Sequence, residues 1–135
     1  MATPIDDAFF ARLRLLGEQF TLGLPLTFAR LAASHRRFDP SAPDADLVRE
    51  LHQTLHTLAG SATTFGFRVL GQQARELEQR LRVLMVFEVV GAGDWGNWLD
   101  SLERYLAWAA RDPRAQDYNS DMVQGAPKAA GERLV

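Results

Sequence analysis

The chain has 135 residues, 47% of them hydrophobic and 24% charged, which suits one domain with a sizeable core and excludes wholesale disorder. A formal net charge of -2 offers no global attraction to nucleic acid or an anionic membrane, and zero cysteines remove disulfides, thiolate catalysis and cysteine metal sites. The first residues lack the basic and apolar regions of a secretory signal and no run reaches bilayer length, so the expectation is a cytoplasmic chain without a membrane partner.

Asp6 and Asp7, placed before Phe9, Phe10, Leu13, Leu15 and Leu16, read as the acidic start of a helix. Gly17, Gly23 and Pro25 then interrupt, predicting a short first helix and a restart or kink at the proline. Leu24, Phe28, Leu31 and Ala32 supply the next apolar face. Turn chemistry fills residues 39–44, with Asp44 as the cap of a central helix from Ala45 to Phe65 that Gly66 ends. The next helix, Phe67 to Val89, buries Leu70, Ala74, Leu77, Leu81 and Leu84, and the apolar run from Val83 to Val90, broken by Glu88, reads as its buried end. After the break at 91–94, with Asp94 as N-cap, a last helix buries Trp95, Leu99, Leu102, Tyr105, Leu106 and Ala109. Its tryptophans, Trp98 and Trp108 included, read as core and boundary residues rather than a ligand pocket. From Asp112 onward periodicity is lost, so residues 112–135 read as a flexible tail or linker after a domain spanning 1–111. Short turns between sequential helices predict an all-α, up-down antiparallel four-helix bundle with a short extra N-terminal helix.

The central helix carries the chemistry. At about 100° per residue, Leu47, Leu51, Leu55, Leu58, Ala62 and Phe65 share a sector of roughly 80°, and His56 lies about 145° from its middle. A core histidine would sit inside that stripe. His52 stands one turn before His56 and Gly60 one turn after. Glycine inside a helix costs roughly 1 kcal/mol relative to alanine, so Gly60 is read as leaving room beside the imidazole for a phosphoryl group or another protein's backbone, against the plainer reading of small-residue packing.

The run His56-Thr57-Leu58-Ala59-Gly60-Ser61-Ala62-Thr63-Thr64-Phe65-Gly66 resembles the signature of the histidine-containing phosphotransfer (HPt) domain family, His-x-Leu-Lys-Gly-Ser-Ala-x-x-x-Gly. Leu70, Ala74, Leu77 and Glu78 continue the pattern into the next helix, and Leu24, Pro25 and Asp44 resemble the segment before the histidine. The likeness spans roughly residues 5 to 110. It implies a helical bundle in which His56 accepts a phosphoryl group from a receiver-domain aspartate and passes it to another receiver. It also implies that Glu78 orients the imidazole, that the partner supplies Mg²⁺, and that the chain works as a monomer without a cofactor. Residues 59, 60, 61 and 63 (Ala59, Gly60, Ser61, Thr63), with His52, Arg49 and Arg75, would form the docking and phosphoryl-binding face.

The chain departs from the family at Ala59, where a lysine is usual. Arg49 on nearly the same face, or Arg75 on the next helix, is the candidate substitute cation, since guanidinium pairs well with phosphate. The alternative is a module that keeps the docking face and has lost transfer. No nucleotide-binding loop or kinase motif is present, so autophosphorylation is not expected. His52 and His56 have a spacing that can chelate a metal, but both are expected to point outward, neither follows a glutamate by three residues, and His52 reads as a solvated residue at the rim of the docking surface. His35, beside Arg36 and Arg37, is expected to act locally at a helix C-terminus.

Overall fold

Four helices and no strand make up the described residues, 4–87 and 89–118, of the computed structural model. They are α1, Pro4–Arg37; α2, Ala45–Thr64; α3, Arg68–Val86; and α4, Ala92–Arg111. α1 packs on α2 and α4, and α3 packs on the same two, so the four close into a ring around one apolar core.

The start of the chain departs from the expected short helix and restart. Residues on both sides of Gly17, Gly23 and Pro25 belong to a single 34-residue helix. Pro25 is exposed, and the hydroxyls of Thr21 and Thr27 donate to the carbonyls of Gly17 and Gly23, at 2.8 and 3.3 Å, on either side of it. The helix is held across the break by tertiary packing: Leu24 and Leu31 are buried, and Phe20 and Phe28 rest against the core. Gly17 faces the Phe65 ring, where a Cβ would stand 3.3 Å from the nearest ring carbon.

α2 starts and stops for local reasons. The Asp44 carboxylate accepts from the backbone N–H groups of Asp46 and Leu47, at 2.8 and 3.3 Å. At the other end Gly66 takes φ +88°, the Phe67 N–H reaches the Ala62 carbonyl at 2.8 Å, and the Gly66 N–H reaches Thr63 at 3.4 Å. That is a Schellman close, which needs a residue without Cβ strain at Gly66. α3 follows after three residues and ends at Val86, short of the expected Val89.

The apolar end of α3 is not buried. Val83, Met85, Val86, Phe87 and Val89 are all exposed; Glu88 lies outside the described residues. Leu84 is half-buried against the core. At α4, Gly91 is the N-cap, and Asp94 sits at the third helical position, where its carboxylate accepts from the Gly91 N–H at 3.0 Å. It therefore caps by reaching back rather than from the N-cap position.

Polar contacts lock α4 to its neighbours. The Trp98 indole N–H donates to the Leu77 carbonyl at 2.9 Å, and the buried Tyr105 hydroxyl donates to the Leu70 carbonyl at 3.0 Å. Burial also pushes the Tyr105 phenol up, so it stays protonated and donating. His35 does more than act locally: its Nε2 lies 3.2 Å from the Leu99 carbonyl of α4. Residues 112–118, placed in the tail on sequence, fold back on the bundle. The Trp108 indole donates to the Asp117 carbonyl at 2.9 Å, Tyr118 meets the Trp108 ring edge-on, and Arg114 lies 4.2 Å over the Phe67 ring. The rest of 112–135 lies outside the described residues.

Candidate functional site

α2 and α3 form the most extensive helix pair in the bundle, and a missing side chain brings them together. At Gly71 on α3 a Cβ would come within 2.6 Å of the Thr63 hydroxyl and 3.1 Å of the Ala59 carbonyl. Only glycine permits this approach without a shift. With the two backbones so close, a residue on the outer edge of α3 can reach one on the outer edge of α2.

Glu78 is that residue. It is 2% exposed, and one of its oxygens, Oε2, receives three nitrogens from two helices. Arg82, one turn further along α3, donates from Nη2 at 2.6 Å. His52 Nε2 lies at 3.0 Å and His56 Nδ1 at 3.4 Å. The two imidazoles are nearly parallel, at 9° between planes and 6.3 Å between centroids. The His52 nitrogen is buried and sits at ion-pair distance without hydrogen-bond alignment. Burial alone would raise the Glu78 carboxyl. The hydrogen bond and charge of Arg82, with His52 and His56 beside it, outweigh burial and hold it below the ordinary carboxylate value, so it is ionised near neutral pH.

His56 differs from its neighbour in exposure: its side chain is 59% exposed, that of His52 23%. With Nδ1 turned to a carboxylate, the proton belongs on that nitrogen and the lone pair on Nε2. Gly60 is exposed one turn on, and a Cβ there would meet nothing within 4 Å. The imidazole therefore stands on an open surface with Nδ1 toward Glu78.

The remaining sequence candidates divide. His52 is largely buried on Glu78, not a solvated rim residue, because α3 covers that edge of α2. Ala59 is 1% exposed and belongs to the core, as does Val48, so the buried sector of α2 is wider than its leucine stripe. Thr63 is exposed on the His56 side, with its hydroxyl donating to the Ala59 carbonyl at 2.9 Å. Ser61 is half-buried and about 140° around the helix from His56, off the site. Arg49 is exposed and pairs with Asp46 on its own helix, about 10 Å along the axis from His56. Arg75 is exposed with no contact to His56 or Glu78. Sequence reading missed Arg82, whose signal was the four-residue step from Glu78, a spacing that pairs opposite charges on a helix. Among the described residues no cluster of three or more metal-ligating side chains is arranged to hold a metal.

The arrangement is thus an accessible imidazole with Nδ1 3.4 Å from a buried carboxylate, beside a small-residue gap. The family model of the Hpt domain matches residues 9–116, a span containing all of these groups. The chain belongs to the Hpt domain family. No curated protein and no solved structure matches it. Hpt domains are phosphotransfer modules of two-component relays and dock receiver domains, and the four-helix bundle here agrees with that membership. In this Hpt domain no helix among the described residues is long and apolar enough to cross a membrane.

Proposed function

We propose that His56 is the phosphoacceptor of a relay, taking a phosphoryl group from a receiver-domain aspartate and giving it to another receiver. The observation that carries this reading is the exposed imidazole with Nδ1 held 3.4 Å from a buried, ionised Glu78. In the transfer step the Nε2 lone pair attacks the phosphorus of the partner's aspartyl phosphate. The N–P bond forms as the P–O bond to the aspartate breaks, and the carboxylate leaves with that electron pair. The proton stays on Nδ1, where Glu78 stabilises the charge developing on the ring. Attack by a second receiver's aspartate reverses the step. The partner supplies Mg²⁺, and no cofactor or autokinase activity belongs to this chain.

Transfer of this kind depends on positioning and on neutralising the equatorial phosphoryl oxygens. Arg82 takes the place of the lysine missing at Ala59. Its guanidinium is within about 6 Å of His56 Nδ1, as the two contacts to Glu78 Oε2 require, and its side chain is 58% exposed. Arg49 and Arg75 have no comparable approach. Gly60 and Thr63, on the same surface, are where a receiver's loops would settle, with Ala59 contributing only its buried backbone. The up-down order of the helices and the cytoplasmic setting form part of the same reading.

The rival reading, a docking module without transfer, rests on Ala59. Incubation with a phosphorylated receiver domain and Mg²⁺ separates the two. Label should enter the wild-type chain, fail to enter His56→Gln, and enter Arg82→Ala about tenfold or more slowly. A wild type that binds receivers yet never takes label establishes the docking module instead.

A further inference from the structure

The apolar stripe that seats α1 in the bundle does not stop where the bundle does. Leu31, Phe28, Leu24 and Phe20 contact the core in steps of three and four, and Leu16, Leu13 and Phe9 continue that series toward the N-terminus. Every residue from 6 to 16 is exposed, with Phe9 at 59% and Phe10 at 57%. At 34 residues α1 is about 51 Å long, against about 30 Å for each of the 20-residue helices α2 and α4. Its first three turns overhang. A segment that short is marginal as a free helix in water, and a contiguous apolar face of this kind marks an interaction site.

Beside the overhang lies an open groove of about 860 Å³, walled by α1 on one side and by Thr64, Phe65 and Gly66 on the other, with Arg114 at its rim. We infer that the overhang of one copy of this chain lies antiparallel in the groove of a second, forming a two-fold dimer. The occupant is argued from three features. Leu13 belongs to both the stripe and the groove's wall, and Phe10 of the overhang also lines the groove, so one surface offers both the ridge and the seat that an isologous contact requires. Charge is complementary: the overhang begins with Asp6 and Asp7, and the groove carries Arg14 and Arg114 against one acid, Glu18, with Arg68 adjacent through Gln116. The overhang and groove together provide about twenty residues from each copy, the scale of a specific interface. The groove meets α2 only at its end, from Thr64, about 12 Å along the axis beyond His56. The dimer would differ from the monomer that the resemblance implies, and it does not depend on phosphotransfer.

Sedimentation equilibrium of the whole chain across the micromolar range should give twice the monomer mass, dissociating on dilution. Leu13→Glu should weaken self-association at least about tenfold while far-ultraviolet circular dichroism shows the bundle still folded. Asp7→Arg and Arg114→Asp should each weaken the dimer, and the two together should recover most of the loss. A wild type that stays monomeric throughout, a dimer indifferent to Leu13→Glu, or a double variant no tighter than either single one overturns the proposal.

Discussion

Three nitrogens share one oxygen of Glu78, and that crowding separates two roles the carboxylate could play. One is geometric, accepting a hydrogen bond from Nδ1–H; the other is electrostatic, balancing charge on the ring. Glutamine keeps an acceptor oxygen of the same reach and gives up the charge, whereas alanine gives up both. Glu78→Ala is therefore expected to slow single-turnover transfer about 10–100-fold, and Glu78→Gln much less, if orientation dominates. Equal, undiminished rates in both variants would remove Glu78 from the site. His52 sharpens the point, since it lies on the same oxygen yet is largely buried, and so has the chemistry of His56 without its access.

At the scale of the helix, two glycines on facing elements have opposite reasons. Gly60 faces open space, so Gly60→Ala gains helix propensity of up to about 1 kcal/mol and should raise the melting temperature. The same methyl stands one turn from His56, so receiver binding or transfer should weaken as stability improves. Gly71 faces backbone atoms of α2 at 3.1 Å, so Gly71→Ala forces the helices apart, at a cost of about 1–3 kcal/mol that exceeds the propensity gain. Thermal melts read the two signs directly. A Gly71→Ala protein that melts no lower than wild type would show that the close approach is not under steric control. The motif made Gly60 visible; nothing in the local pattern announced Gly71, because its reason lies on another helix.

For the whole molecule, Glu78 also makes stability depend on acidity. Its carboxyl is held below the ordinary value of 4.5 in the folded state, so the folded form favours the carboxylate. The contribution is complete above that ordinary value and disappears as pH falls through the lower, folded one. Melts of wild type and Glu78→Gln should show a wild-type advantage near neutral pH that shrinks below about pH 4.5. An advantage that stays constant into strong acid would mean the carboxylate is not selectively stabilised by folding. The overhang of α1 bears on the other whole-molecule property, since its apolar stripe lies exposed in a single copy.

Sequence by itself determined three of the four helices and one face of the site. Caps, turn residues and apolar steps of three and four act within a few residues, which is why Asp44, Gly66 and the leucines of α2 were read correctly. The position of His56 away from that stripe, and its partner on the next helix, followed from the same periodicity and the motif. Only the tertiary structure decided which side chains meet across helices. α3 covers the edge of α2 that carries Ala59 and His52, places Arg82 rather than Arg49 or Arg75 on Glu78, and leaves apolar residues at its end exposed. α1 runs unbroken through Gly17, Gly23 and Pro25 because distant packing outweighs local helix preference, a balance set by neighbours that no window of sequence contains.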